Sequence, residues 1–346
     1  MNKKLSVSMV SIFVCFLCLV TFSVSAWSAE KININFASEY GPPHPSIKNG
    51  IMPWIDKVKE MSNGRLIINY FAPNALTPQR EHFAATVSGA VDMAFSPPAF
   101  TPGKFPLADV IGLPMIFSNA ESASLATMKI YNKFPNFKAE YTDFKFLWMH
   151  VSALFELHTT KKLVKTLEDL KGMKIIVWLP PARNMAKALG ANPVEVTPQD
   201  TYLALERGMA DGVLCPLAPI REKKISDSAK YHTMFGLFCN PFWGAMNQKK
   251  YDSLPADLKK IIDDTTGEKM SRLFGRTLDE GAARDEIAFK KEGHTFYYLP
   301  PKEKQRWIDR IDPLHDVWVK KMEAKGHKNA AEIRREAIRL GKELAK

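Results

Sequence analysis

The chain has 346 residues, 46% of them hydrophobic, and its 48 Lys and Arg against 37 Asp and Glu give a formal net charge of +11. That length suits about two domains whose cores need no disulfide or metal staples. The positive excess is spread along helices, notably 320–346, without interleaved stacking aromatics, so it reads as a solvated surface and argues against a nucleic-acid partner.

Lys3 and Lys4 precede an apolar run from Leu5 to Val24, and small residues follow at Ser25, Ala26, Ser28 and Ala29. This is the layout of a cleaved secretory signal peptide over 1–28, which places the mature chain outside the inner membrane, in the periplasm. No later stretch approaches the ~18 consecutive apolar residues of a membrane span. Only Cys215 and Cys239 remain after cleavage. Export permits a disulfide between them, and two buried or cleft-lining thiols are the other reading.

From Lys31 the residues alternate in polarity, predicting a strand that ends in the breaker loop Gly41-Pro42-Pro43-His44-Pro45. An amphipathic helix is predicted over 47–61, a strand over 66–71, a helix over 80–88 and a mostly apolar strand over 91–96. Strand, helix, strand, helix, strand is a parallel α/β layout. After a mixed segment, strands are predicted at 146–150, 153–160, 173–178, 192–196 and 210–214, with helices at 182–189 and 198–207. A second α/β unit thus resembles the first. The proline-free stretch 256–291 reads as one very long helix, too long for one ordinary lobe and suited to bridging two. Helices over 302–325 and 329–344 close the chain.

Two such lobes joined by crossing connections enclose a cleft. In open α/β sheets ligands sit beyond the carboxyl ends of the strands. The loops to watch follow Phe36, Ser96, Val177 and Leu214, or lie around Glu156 and Trp243. Chemical motifs are missing: the mature chain has no Gly-rich phosphate loop after a strand, no GxSxG, no HExxH and no CxxC. The eight histidines are scattered without metal-ligand spacing, and no carboxylate pair stands out. An enzyme reading has no residue to rest on, and no cofactor or metal is expected.

Short segments then carry a resemblance. They are Gly41-Pro42-Pro43-His44-Pro45, Gly64-Arg65-Leu66, Ser88-Gly89-Ala90-Val91-Asp92-Met93-Ala94, Gly112-Leu113-Pro114-Met115-Ile116-Phe117, Leu167 through Ile175, Ala188 through Val194, Tyr202-Leu203-Ala204-Leu205, Asp211-Gly212 and Tyr251 through Pro255. In this order and spacing the chain resembles the substrate-binding protein of a TRAP transporter, of the C4-dicarboxylate-binding (DctP) type. The resemblance implies a two-lobed periplasmic binding protein fold of α/β class, with a long helix spanning both lobes and hinge closure on a ligand in the cleft. It implies lobe one over 29–152 plus 240–275 and lobe two over 153–239 plus 276–346. It also implies delivery of a small molecule, by what is expected to be a monomer, to the membrane subunits of a TRAP permease.

Most members of that family grip a ligand carboxylate with two arginines, a task suited to the planar guanidinium. One arginine belongs to a K-I-R-V stretch, which here reads Lys174-Ile175-Ile176-Val177, so Ile176 stands at its position. The other precedes a Thr-Asn or Ser-Asn pair, which here is Thr159-Thr160, so Glu156 stands at its position. Loss of both cations and gain of a carboxylate in a closed, low-dielectric cleft would repel anions. A cationic or zwitterionic amine, with Glu156 as counter-ion and aromatic walls, is therefore the expected cargo. The candidate contacts are Glu156, Trp178, Trp243, Phe100, Tyr40, Glu39, Ser96, Ile176, Cys215 and Arg183. Two other readings stand beside it. Glu156 pairs internally with Arg183 or a lysine and the ligand is neutral or aromatic, or Arg183 serves as a relocated anchor for a carboxylate.

Overall fold

The computed structural model describes residues 30–345 and contains two mixed sheets. The expected signal peptide lies outside the described residues. The first sheet has the order β2-β1-β3-β10-β4, with β1 at Ile32–Ala37, β2 at Leu66–Phe71, β3 at Met93–Ser96, β10 at Pro241–Met246 and β4 at Lys145–Val151. The second has the order β11-β9-β5-β8-β6-β7, with β11 at Thr295–Tyr298, β9 at Tyr231–Met234, β5 at Glu156–Thr159, β8 at Gly212–Cys215, β6 at Lys174–Val177 and β7 at Asn192–Glu195.

The expected parallel layout holds for β1, β2 and β3 and for β6, β7 and β8. Each sheet also has one strand antiparallel to both its neighbours. In the first sheet this is β10, and in the second it is β5. Each of the two directly follows a crossing between lobes: β5 the first, β10 the return.

Alternate residues face opposite sides of each sheet, so every strand feeds two cores. In the first lobe Phe36, Phe95, Trp148 and Phe242 pack on one side, and Ala94, Met149, Val151 and Trp243 on the other. In the second lobe one core gathers Leu157, Ile175, Val177 and Leu214, and the other gathers Ile176, Val213 and Cys215.

The chain crosses between lobes after β4 and returns before β10, and the two crossings run side by side. Ser152 N donates to Asn240 O at 2.8 Å, Phe155 N to Phe238 O at 2.8 Å and Leu237 N to Phe155 O at 3.0 Å. Asn240 N donates to Ser152 Oγ at 2.9 Å. The hinge is thus a short hydrogen-bonded ribbon.

The third crossing is helical, but the expected single helix over 256–291 is two. Ala256–Thr265 ends at Thr266, and Gly267 takes φ +63 before Glu268–Lys291 begins. Gly267 N donates to Leu147 O at 2.8 Å, so the break ties the chain to β4. A positive φ is available to glycine without steric cost. The second helix, 24 residues and about 36 Å long, does span both lobes. It buries Phe274 beside Trp148 in the first and Phe289 beside Ile176 and Cys215 in the second.

The assignment of 276–346 to lobe two needs correction at its end. Trp318, Met322, Ile333, Ala337 and Leu340, from helices Pro313–Ala324 and Ala330–Leu344, pack in the first lobe's core with Phe105, Leu107 and Ala120. Their apolar stripes match that surface, and of the three closing helices Pro301–Ile311 alone stays with the second lobe, through Trp307 and Ile311.

Candidate functional site: the interlobe cleft

The first lobe presents an aromatic wall at the cleft end of its strands. Tyr40 follows β1, its N–H donating to Ser38 Oγ at 3.1 Å and its carbonyl accepting from that hydroxyl at 2.9 Å. Its ring stacks on His44 at 3.8 Å and leans on Phe95 at 5.3 Å and Phe242 at 5.6 Å. His150, next to last on β4, lies stacked between Phe242 at 4.9 Å and Phe274 at 3.9 Å.

Proton positions on the two imidazoles follow from their partners. Trp148 Nε1–H donates to His150 Nδ1 at 3.0 Å, so His150 carries its proton on Nε2. That Nε2–H is buried and finds no acceptor among the described residues. Ser46 N donates to His44 Nδ1 at 3.2 Å, which again leaves Nε2 as the protonated nitrogen. Burial, followed by the nearby Lys223 cation, lowers His44 to about 3. Burial, followed by His44, holds His150 well below the ordinary histidine range. Both rings are neutral donors at neutral pH.

Glu39 and Ser96 belong to a buried network behind this wall. Glu39 Oε1 accepts from Ser96 Oγ at 2.7 Å and lies 3.1 Å from His82 Nδ1, and Oε2 accepts from Gln79 Nε2 at 2.7 Å. Trp243 faces the opposite side of the sheet, fully buried, with Phe144 at 5.0 Å and Phe83 at 6.3 Å. Phe100 carries the Arg80 guanidinium over its ring at 4.7 Å and packs against the second lobe's core, so it joins the two lobes.

On the second lobe Glu156 opens β5 opposite Cys215 of β8. Its Oε2 accepts from Phe235 N at 2.7 Å and Gly236 N at 2.9 Å. The carboxylate therefore ties the two crossing strands together just past the hinge. Burial raises it to about 7, against the two amide hydrogen bonds, which lower it. Arg183 pairs with Glu195 at 2.9 Å instead of with Glu156. Ile176 is fully buried in the core that also holds Cys215. Trp178 is half-buried, and its Nε1–H donates to Thr201 Oγ1 at 2.9 Å. Glu222 and Lys223, past β8, act electrostatically on Tyr40 and His44 of the other lobe. Cys215 and Cys239 are buried free thiols.

Of the scattered histidines, His44 and His150 were not foreseen at the cleft, and three more meet behind Cys215. His158 Nε2 donates to Cys215 O at 2.9 Å. His158 Nδ1 then accepts from His232 Nδ1 at 2.7 Å, and His232 Nε2 accepts from His294 Nδ1 at 2.9 Å. The carbonyl fixes the direction of the whole chain with all three rings neutral. Their numbers in the sequence, 158, 232 and 294, give no sign of this contact. Among the described residues no group of His, Cys, Asp and Glu is arranged to hold a metal ion, and no helix is long and apolar enough to cross a membrane.

Two α/β lobes joined by a ribbon and a bridging helix define the two-lobed fold of a solute receptor. The chain belongs to the bacterial extracellular solute-binding proteins, family 7 (DctP), whose family model matches residues 36–322. The C4-dicarboxylate-binding periplasmic protein DctP of Rhodobacter capsulatus is 24% identical over 299 residues, 86% of this chain and 89% of that protein. A TRAP solute-binding protein of Rhodoferax ferrireducens, solved with copurified benzoate, superposes with a TM-score of 0.85 at 27% identity, covering 91% of this chain and 99% of the other. A marine-metagenome TRAP solute-binding protein, in complex with 3-hydroxybenzoate, superposes with a TM-score of 0.86 at 26% identity, covering 92% and 100%. Proteins of this family are solute-binding receptors rather than enzymes, and they work with membrane permease subunits.

Proposed function

We propose that this chain is a periplasmic receptor that delivers a small aromatic carboxylate to a TRAP permease. The observation that carries this reading is the buried Nε2–H of His150, which has no acceptor and lies within an aromatic wall. A buried donor left unmade costs roughly 1–3 kcal/mol, so a ligand oxygen that accepts from it is favoured. His44 offers a second neutral donor, and Lys223 adds positive potential from the opposite lobe. Tyr40 and Phe242 flank an aryl ring. The benzoate and 3-hydroxybenzoate held by the two similar structures support the same class.

The alternative is a cationic or zwitterionic amine with Glu156 as counter-ion. It is weakened because Glu156 Oε2 already accepts two backbone amides and because burial favours its neutral form. A neutral aromatic solute would use the wall without the Lys223 field.

Thermal-shift and calorimetric titration of the mature chain separate the three. Benzoate and 3-hydroxybenzoate are expected to bind, adding about 2.7 kcal/mol of stability at ~100 times Kd. Benzamide is expected to bind more weakly, and phenethylamine and ethanolamine not at all. His150→Phe keeps the stack and removes the donor, and should weaken benzoate by roughly ten- to a hundredfold, as loss of a hydrogen bond to a charged group does. Stabilisation by the amines without the acids would restore Glu156 as the anchor.

A further inference from the structure

A cavity of about 290 Å³ lies apart from the His44–His150 wall and shares no residue with it. Its walls come from both lobes: the segment from Pro98 to Pro114, the start of helix Pro180–Ala188, and helix Pro313–Ala324. Prolines 98, 102, 106, 114, 180 and 181 make these walls stiff and poor in N–H donors.

Four polar residues stand out. Asp109 is half-buried and makes no ion pair or side-chain hydrogen bond among the described residues. Lys321 and Lys325 line the same cavity and attract Asp109 without closing a salt bridge to it. Trp318, 5% exposed, also lines it, and its Nε1–H is buried with no acceptor. A carboxylate held apart from two ammonium groups and an idle indole donor leaves complementary ends without partners. Asp109, half-buried, and the buried Trp318 N–H lose water without gaining a partner, and one molecule bearing both charges satisfies them together, its carboxylate within reach of the exposed Lys321 and Lys325.

We infer that this cavity is a second small-molecule site, for a compound carrying one ammonium and one carboxylate group. Its ammonium pairs with Asp109, and its carboxylate lies between Lys321, Lys325 and the Trp318 N–H. Because both lobes supply the walls, an occupant favours the closed arrangement.

The test is saturation-transfer NMR on the mature chain with β-alanine and γ-aminobutyrate as probes, with and without excess benzoate. At least one probe should bind, keep its signal in benzoate, and lose it in Asp109→Asn. Lys321→Gln, at an exposed position, should weaken that probe by up to about fivefold while leaving the fold intact. Absence of binding by both probes, displacement by benzoate, or an unchanged signal in Asp109→Asn would each overturn the inference. If benzoate itself fails to bind, the benzoate-free arm still decides the question, so this inference and the cargo proposal fail separately.

Discussion

Glu156 illustrates how a residue's partners decide its role. Its sequence position points toward the ligand, yet its carboxylate holds the amides of Phe235 and Gly236. Gly236 has φ +66, the turn that brings both N–H groups to one oxygen. The folded carboxyl stands at about 7, above the ordinary glutamate value of 4.5. Its contribution to stability is therefore fully present below that ordinary value and is lost as pH rises through about 7. Urea unfolding of Glu156→Gln and parent from about pH 5 to about pH 8 should show the parent losing ground by up to roughly 3 kcal/mol. Parallel curves would show that the carboxyl is not held up by burial. The reading of Ile176 and Glu156 from family pattern put both residues on strands, and they stand on β6 and β5. It could not find their partners, because backbone amides that approach from another strand leave no mark on side-chain spacing.

At the scale of elements, the long helix is positioned by glycines. A Cβ on Gly275 would stand 2.4 Å from Glu121 Cα and 2.6 Å from Ala120 O, where helix Ala120–Lys133 begins. One turn on, Asp279 accepts from Ala120 N at 2.8 Å and Glu121 N at 2.9 Å, capping that helix start. Gly275→Ala should cost about 1–3 kcal/mol, since backbone on backbone leaves little room to relax. Gly281 meets Pro45 instead, with Cγ 2.6 Å from a built Cβ, in the loop that carries His44. Gly281→Ala should therefore weaken ligand binding more than it lowers the unfolding midpoint. Calorimetry and thermal melts on the two variants check this, and a larger affinity loss in Gly275→Ala would contradict it. The helix and its bridging role were legible from its length. Its break was not, because Gly267 reads as an ordinary helical glycine until β4 supplies the Leu147 carbonyl. The antiparallel β10 and the return of helices 313–324 and 330–344 to the first lobe escaped for the same reason. Period and polarity describe a face, and not the lobe that the face meets.

For the molecule as a whole, neutral buried histidines set the acid limit. His44, His158 and His232 fall to about 3, about 4 and about 2, chiefly through burial. A depressed value contributes stability that is present above the unfolded value of 6.5 and lost as pH falls toward the folded one. Stability should drop steeply between about pH 6.5 and about pH 4. His232→Gln keeps donor and acceptor capacity without titrating, so its deficit against the parent should shrink on acidification. A deficit that stays constant would place the acid limit elsewhere.

The ribbon of Ser152, Phe155, Leu237 and Asn240 has a mechanical consequence. Two strands bonded to each other behave as a leaf spring, flexing across their thin dimension and resisting shear along their length. Opening is then a one-axis swing of limited arc, and the amides of Phe155 and Leu237 stay shielded from exchange with solvent deuterium whether the receptor is empty or full. A receptor built this way returns to the same closed register on every cycle.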